Sequence, residues 1–253
     1  MSDFDRNAWA AKRGFGADRA IAVDAGLRAH MIRVYNYMAG AVALTGVVAW
    51  LTFQMAVTQT AAGALALTPF GQALFGSPLM WVLVLAPLAL VFFISFRINR
   101  LQASTALMLF LVYAALLGLS LATIFLVYTH ASITRVFFIT AASFGALSVY
   151  GYTTQRDLSA IGSFLIMGLF GIIIASVVGM FWHSTPLQFA ISVVGVLVFA
   201  GLTAWDTQKI KEMYSPMDDG TVAGRKAVMG ALALYLDFVN LFLMLLRLFG
   251  DRR

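Results

Sequence analysis

The 253-residue chain is 61% hydrophobic and 11% charged, against roughly a quarter charged in ordinary soluble domains, and its mean hydropathy is +0.89. That composition excludes a soluble globular protein, and the absence of cysteine excludes a disulfide framework and thiol chemistry. The net charge of +6 lies in the N-terminal tail and in alternate connections, where membrane orientation requires it, so nucleic acid is set aside as a partner and the lipid bilayer takes its place.

Residues 1–30 form a mixed, charged tail without the pattern of a secretory signal peptide. Within it Ala20, Ile21, Val23 and Leu27 share one helical face, which suits a short interfacial helix. Residues 31–250 make up the membrane domain, and 251–253 are a short C-terminal tail. Apolar stretches at 33–53, 78–96, 104–128, 133–151, 161–182, 187–207 and 228–249 each approach the roughly 20 residues that cross a hydrocarbon core about 30 Å thick. Seven transmembrane helices in an all-α integral membrane protein are therefore predicted.

Two connections are long. Residues 54–77 are uncharged and rich in Ala, Gly and Thr, while 208–227 carry charges and the sequence Ser215-Pro216-Met217-Asp218-Asp219-Gly220. The latter lacks the alternating acids and closing glutamate of a calcium loop and reads as a plain turn. In the fifth span Gly171, Ala175 and Gly179 recur every fourth position, a pattern that lets a neighbouring helix of the same chain approach closely.

Basic residues orient the bundle. Six precede residue 34; the second connection holds Arg97 and Arg100, the fourth Arg156, and the sixth Lys209, Lys211, Arg225 and Lys226. The first and fifth connections have none, so the N-terminus is expected in the cytoplasm. Seven crossings then leave Arg252 and Arg253 outside, which the same rule opposes. A last segment that enters without fully crossing would reconcile the two.

Nine of the eleven acids fall in tails or connections. Asp206, in GLTAWDTQKI (201–210), sits near the cytoplasmic end of span six, and Asp237, in ALYLDFVNLFL (233–243), lies well inside span seven. An aspartate at the centre of a membrane helix costs about 2.5–3.5 kcal/mol, so it faces the protein interior and has a partner. Counting along the helices from Lys209 and Lys226 places the two acids about 10 Å apart in depth, a gap that tilt or an earlier start of span seven would close. If they meet, two adjacent negative charges in low dielectric cannot both persist, and the pair titrates as a unit. Asn240, one turn from Asp237, either extends a polar strip or makes an interhelical hydrogen bond.

The stretches SVYGYTTQRDLSAIGSFLIMGLFGIIIAS (148–176), GLTAWDTQKI (201–210) and ALALYLDFVNLFLMLLRLFG (231–250), with GLSLATIFLVYT (118–129) before them, resemble the Bax inhibitor-1 family in its bacterial branch. The resemblance runs in order from about residue 30 to 250. It implies six helices surrounding the seventh, the C-terminal one, in a bacterial inner (plasma) membrane. It further implies a pH-sensitive, calcium-permeable leak channel or transporter, with calcium as permeant ion and no cofactor. The family's paired aspartates correspond here to Asp206 and Asp237, which would act as pH sensor and gate and offer calcium a transient site. A basic residue at the end of the second helix accompanies that pair, and Arg97 and Arg100 compete for the position. Trp205 stands where the family often has tyrosine.

Two other readings compete. An intramembrane serine protease built on Ser120 and His183 lacks any supporting motif, His30 and His130 are interfacial by position, and no enzymatic activity is expected. A non-conducting regulatory protein that binds and modulates a membrane protease or other membrane complex is the stronger alternative.

Overall fold

A computed structural model describes residues 3–59, 65–182 and 184–253. Seven helices are long and apolar enough to cross a membrane: part of α1 (Asp3–Ala56), α3 (Leu79–Arg97) with a 3-10 turn to Arg100, α4 (Ala103–Leu121) with α5 (Ile124–Val127), α6 (His130–Thr153), α7 (Ser159–Phe181), α8 (Thr185–Glu212) and α9 (Gly220–Phe249). The remaining helix, α2 (Pro69–Phe75), is short.

Lipid as solvent explains the layout. Large apolar side chains such as Trp81, Phe96, Phe164 and Phe181 are exposed along α3 and α7, which a bilayer accepts and water would not. The C-terminal helix is the exception: 67% of the membrane-length window of α9 is buried, against 44% for α8 and 33% or less for the others. It packs directly on α1, α4, α6 and α8, while α3 leans on α4 and α7 on α8 to complete the ring. Tyr235, wholly buried, shows how tightly the centre is held. Its ring meets Phe110 and Tyr113 edge-on, and its hydroxyl shares a 2.6 Å hydrogen bond with Thr45 of α1.

The uncharged 54–77 connection has structure that its composition did not announce. Val57–Gln59 (β1) pairs antiparallel with Leu65–Leu67 (β2), and Thr68 caps α2, accepting from Gly71 N while its hydroxyl donates to Met55 O. The turn before α9 is the plain turn expected. Asp219 caps the helix by accepting from Val222 N at 2.7 Å, and Asp218 pairs with Lys226.

The last helix has the length to cross: its 30 residues span about 45 Å, and the tail beyond it docks on the opposite end of the bundle. There Thr129 N donates to Asp251 O, Arg253 N to Val127 O, and Asp251 N to Ser132 Oγ. Asp251 also pairs with Arg135, which offsets part of the tail's positive charge. The stripe Gly171, Ala175, Gly179 is not one helix contact. Gly171 faces open space and Gly179 lies under Leu187 and Ile191, while α7 closes on α8 through Gly162 against Trp205 and Gly168 against Val198. As for the tail, α1 is helical from Asp3 without a break into its span, and Leu27 packs on the core; the side chains of Ala20, Ile21 and Val23 lie outside those described.

Helix α6 approaches the backbone of α8 closely, where a Cβ on Gly151 would collide with the carbonyl of Ala204. Gly151→Leu is expected to destabilise by about 1–3 kcal/mol, as overpacking does, and to lower the thermal midpoint in detergent. Gly171→Ala, into open space, should leave that midpoint unchanged or raise it.

Candidate functional site at the junction of helices eight and nine

Helices α8 and α9 run antiparallel from the turn at 213–219. Their register is fixed where Ile210 sits over Gly230 and Met244 over Gly195. Between those two points Asp206 is level with a residue about one turn before Asp237, close enough for the side chains to meet. The two carboxyl groups lie within hydrogen-bonding reach of each other. Counting from Lys209 and Lys226 misjudged this because Lys226 is not level with Lys209. Its long stem carries the ammonium back to the carbonyl of Met213, past the end of α8, so the start of α9 is drawn further from the membrane centre than a residue count allows.

Asp237 is 4% exposed and its Oδ2 has no hydrogen-bond donor among the described residues. Asp206 is half-buried, and the charge facing it from outside is Lys209, one turn on, whose ammonium lies 4.8 Å from the Trp205 ring. Two carboxylates repel, so a hydrogen bond between them requires that they share one proton.

Neither candidate arginine joins the pair. Arg97 and Arg100 are both exposed, and neither is within ion-pair distance of Asp206 or Asp237. The physical reason lies in the packing: α3 leans on α4, a layer away from α8. Asn240 does not extend the site either, because its amide donates to Leu236 O on its own helix. Trp205 packs on Gly162 of α7, and so anchors α8 rather than bonding an acid.

Sequence reading passed over Gln208 and Lys211, two residues that hold this end of α8. The Gln208 amide accepts from Leu158 N at 2.9 Å and donates to Arg156 O at 2.8 Å, clamping the α6–α7 connection. Lys211 donates to Tyr152 O at 2.9 Å at the last turn of α6. The signal was present: DTQKIK is the polar end of an otherwise oily helix, and each of its side chains needs a destination. In the same connection Asp157 accepts hydrogen bonds from the Ser159 side chain and backbone, which hold its carboxyl below the usual range. It is therefore ionised at any pH near neutrality and is no part of a pH response there.

Of the residues named for the protease reading, Ser120 donates to the carbonyls of Leu83 and Leu116. His183 lies outside the described residues. His130 is packed between Phe53 and Phe125, His30 lies beside Tyr214, and no cluster of three metal-ligating side chains exists among the described residues.

Comparison with known proteins gives the family of the chain. Residues 27–253 match the family model described as inhibitor of apoptosis-promoting Bax1. The chain belongs to the Bax inhibitor-1 family. Inner membrane protein YbhL of Escherichia coli is 45% identical over 240 residues, covering 94% of this chain and 97% of that protein. A protein of Rickettsia prowazekii is 46% identical over 230 residues, 91% and 92% of the two chains, and one of Caulobacter vibrioides is 41% identical over the whole of both. All seven spans of this Bax inhibitor-1 family membrane protein fall within or largely within the matched region.

Because Leu158 N is buried, replacing its acceptor leaves an unsatisfied donor. Gln208→Leu should cost about 1–3 kcal/mol, read as a lower thermal midpoint, with increased proteolysis in the 154–158 connection.

Proposed function

We propose that the protein is a pH-sensitive, calcium-permeable leak channel or transporter of the inner membrane, with its N-terminus in the cytoplasm, gated by Asp206 and Asp237. One observation carries the reading: two carboxyls from adjacent membrane helices meet within hydrogen-bonding reach, and the deeper one has an oxygen without a donor. A structural acid in lipid is ordinarily matched by a donor or a cation. With Lys209 facing only the outer acid, Asp206, the deeper one is matched by its partner carboxyl alone, and the state of the pair depends on one proton.

In the closed state that proton bridges α8 and α9 and holds the basic end of the bundle shut. Changing the protonation state converts attraction into repulsion and loosens the contact between the two helices. The carboxylate oxygens freed by this are hard ligands suited to calcium. Two carboxylates offer at most four oxygens, short of the six to eight of a storage site, so a passing ion keeps part of its water. That incompleteness suits permeation, which needs binding weak enough to release. The inner-membrane assignment follows the similarity to the Escherichia coli inner membrane protein YbhL, and the orientation follows the basic residues of the N-terminal tail and even-numbered connections.

Purified protein in liposomes loaded with a calcium-sensitive dye should raise calcium flux over empty vesicles, and the flux should change between mildly acidic and mildly alkaline medium. Asp206→Asn and Asp237→Asn should each flatten that profile. No flux from the wild type would favour the docking-protein reading, and an unchanged pH profile in both variants would remove the acid pair from the gate.

A further inference from the structure

The α1 and α6 helices do not form a packed interface; between them runs a groove of about 600 Å³ floored by Phe238 of α9. That volume is in the range of small-molecule sites, about 300–1,000 Å³. Its long axis follows the helices, from Arg28 and Tyr152 at the basic end to Ala39 and Ala141 in the middle of the bundle. The eleven helical rises of α1 from Arg28 to Ala39 make that length about 16 Å, half of a hydrocarbon core about 30 Å thick. The groove therefore has the depth of one leaflet.

Its chemistry is graded along the same axis. The inner part is walled by Met38, Ala39, Ala141, Phe144 and Phe238, with Tyr35 between it and the level of Ile32 and Ser148. Towards the mouth stands Ser148, which is 5% exposed and whose Oγ has no hydrogen-bond partner, although serine in a membrane helix ordinarily bonds the carbonyl four residues back. At the mouth itself Arg28 is exposed on α1. From the centre outward the order is apolar wall, unsatisfied hydroxyl, guanidinium. A phospholipid has the same order: acyl chain, ester carbonyl, phosphate.

We propose that this groove is a binding site for one anionic phospholipid of the leaflet at the basic end. An acyl chain lies between α1 and α6, the phosphate is held by Arg28, and Ser148 turns its occluded hydroxyl into the groove to donate to an ester carbonyl. A free phosphate would leave the apolar length unfilled, and an uncharged hydrocarbon would leave Ser148 and Arg28 unused. The site is independent of the acid pair and of whether the protein conducts.

The test is lipid retention by the full-length protein in detergent, read by native mass spectrometry after addition of phosphatidylglycerol or phosphatidylcholine. The wild type should keep one phosphatidylglycerol per chain, in preference to phosphatidylcholine by about tenfold. Arg28→Gln should erase the preference. Gly145→Leu places a side chain where a Cβ meets open space in the groove, so the fold tolerates it while retention of both lipids falls about tenfold. Ser148→Ala, which removes only the hydroxyl, should weaken retention several-fold and serves as a second variant should Gly145→Leu express poorly. Absence of a one-to-one adduct, undiminished retention in Gly145→Leu, an unchanged preference in Arg28→Gln, or displacement of the adduct by inorganic phosphate would each overturn the proposal.

Discussion

The constraint on which this structure depends is the need to keep Asp237 out of hydrocarbon. A carboxyl in mid-membrane costs about 2.5–3.5 kcal/mol on an unshielded helix, so α9 must be wrapped by other helices rather than placed at the periphery. Its burial, deeper than that of any other span, follows from that demand. The other features of the centre serve the same end. Tyr235 bonds back to Thr45 of α1, Phe238 meets Phe137 and Phe144 of α6, and Met244 closes over Gly195 of α8. Helices α3 and α7, which carry no buried acid, expose Phe, Trp and Leu to lipid.

Wrapping alone would leave the acid without a partner. The partner comes from the antiparallel run of α8, which brings Asp206 to within about one turn of the level of Asp237 and sets the DTQKIK segment at the basic end. That segment is tied in three directions: Asp206 towards α9, Gln208 to the α6–α7 connection, and Lys211 to the last turn of α6. A change at the acid pair thus acts on a helix end that is mechanically coupled to its neighbours. If the proton links α8 to α9, the Gln208 clamp decides how far α8 can move when that link is lost.

The basic end also carries the features of the α1–α6 groove, with Arg28 at its mouth and Ser148 unsatisfied within it. The bundle is therefore asymmetric along the membrane normal. One end holds the acid pair, the clamp and the groove mouth; the other is closed by the C-terminal tail on Thr129 and Ser132 and by the β1–β2 hairpin.

Most of this was written in the sequence. Composition fixed lipid as the solvent, apolar runs gave seven spans whose centres agree with the helices observed, and the expense of charge in lipid singled out Asp206 and Asp237 from eleven acids. These follow from the chain alone because transfer between water and hydrocarbon is a property of each segment by itself. The tertiary structure decided what depends on two segments at once. The register of α8 on α9 is set by Ile210 on Gly230 and Met244 on Gly195, and a residue count from the nearest lysines missed it because a lysine stem reaches past its own level. The distance of Arg97 and Arg100 from the acids and the separate fates of Gly171 and Gly179 likewise turn on how helices shift and rotate against one another. Hydrophobic pattern records which residues are buried, but not the axial offset at which two buried faces meet; shape complementarity at a few close contacts determines that, and it exists only once the helices are packed.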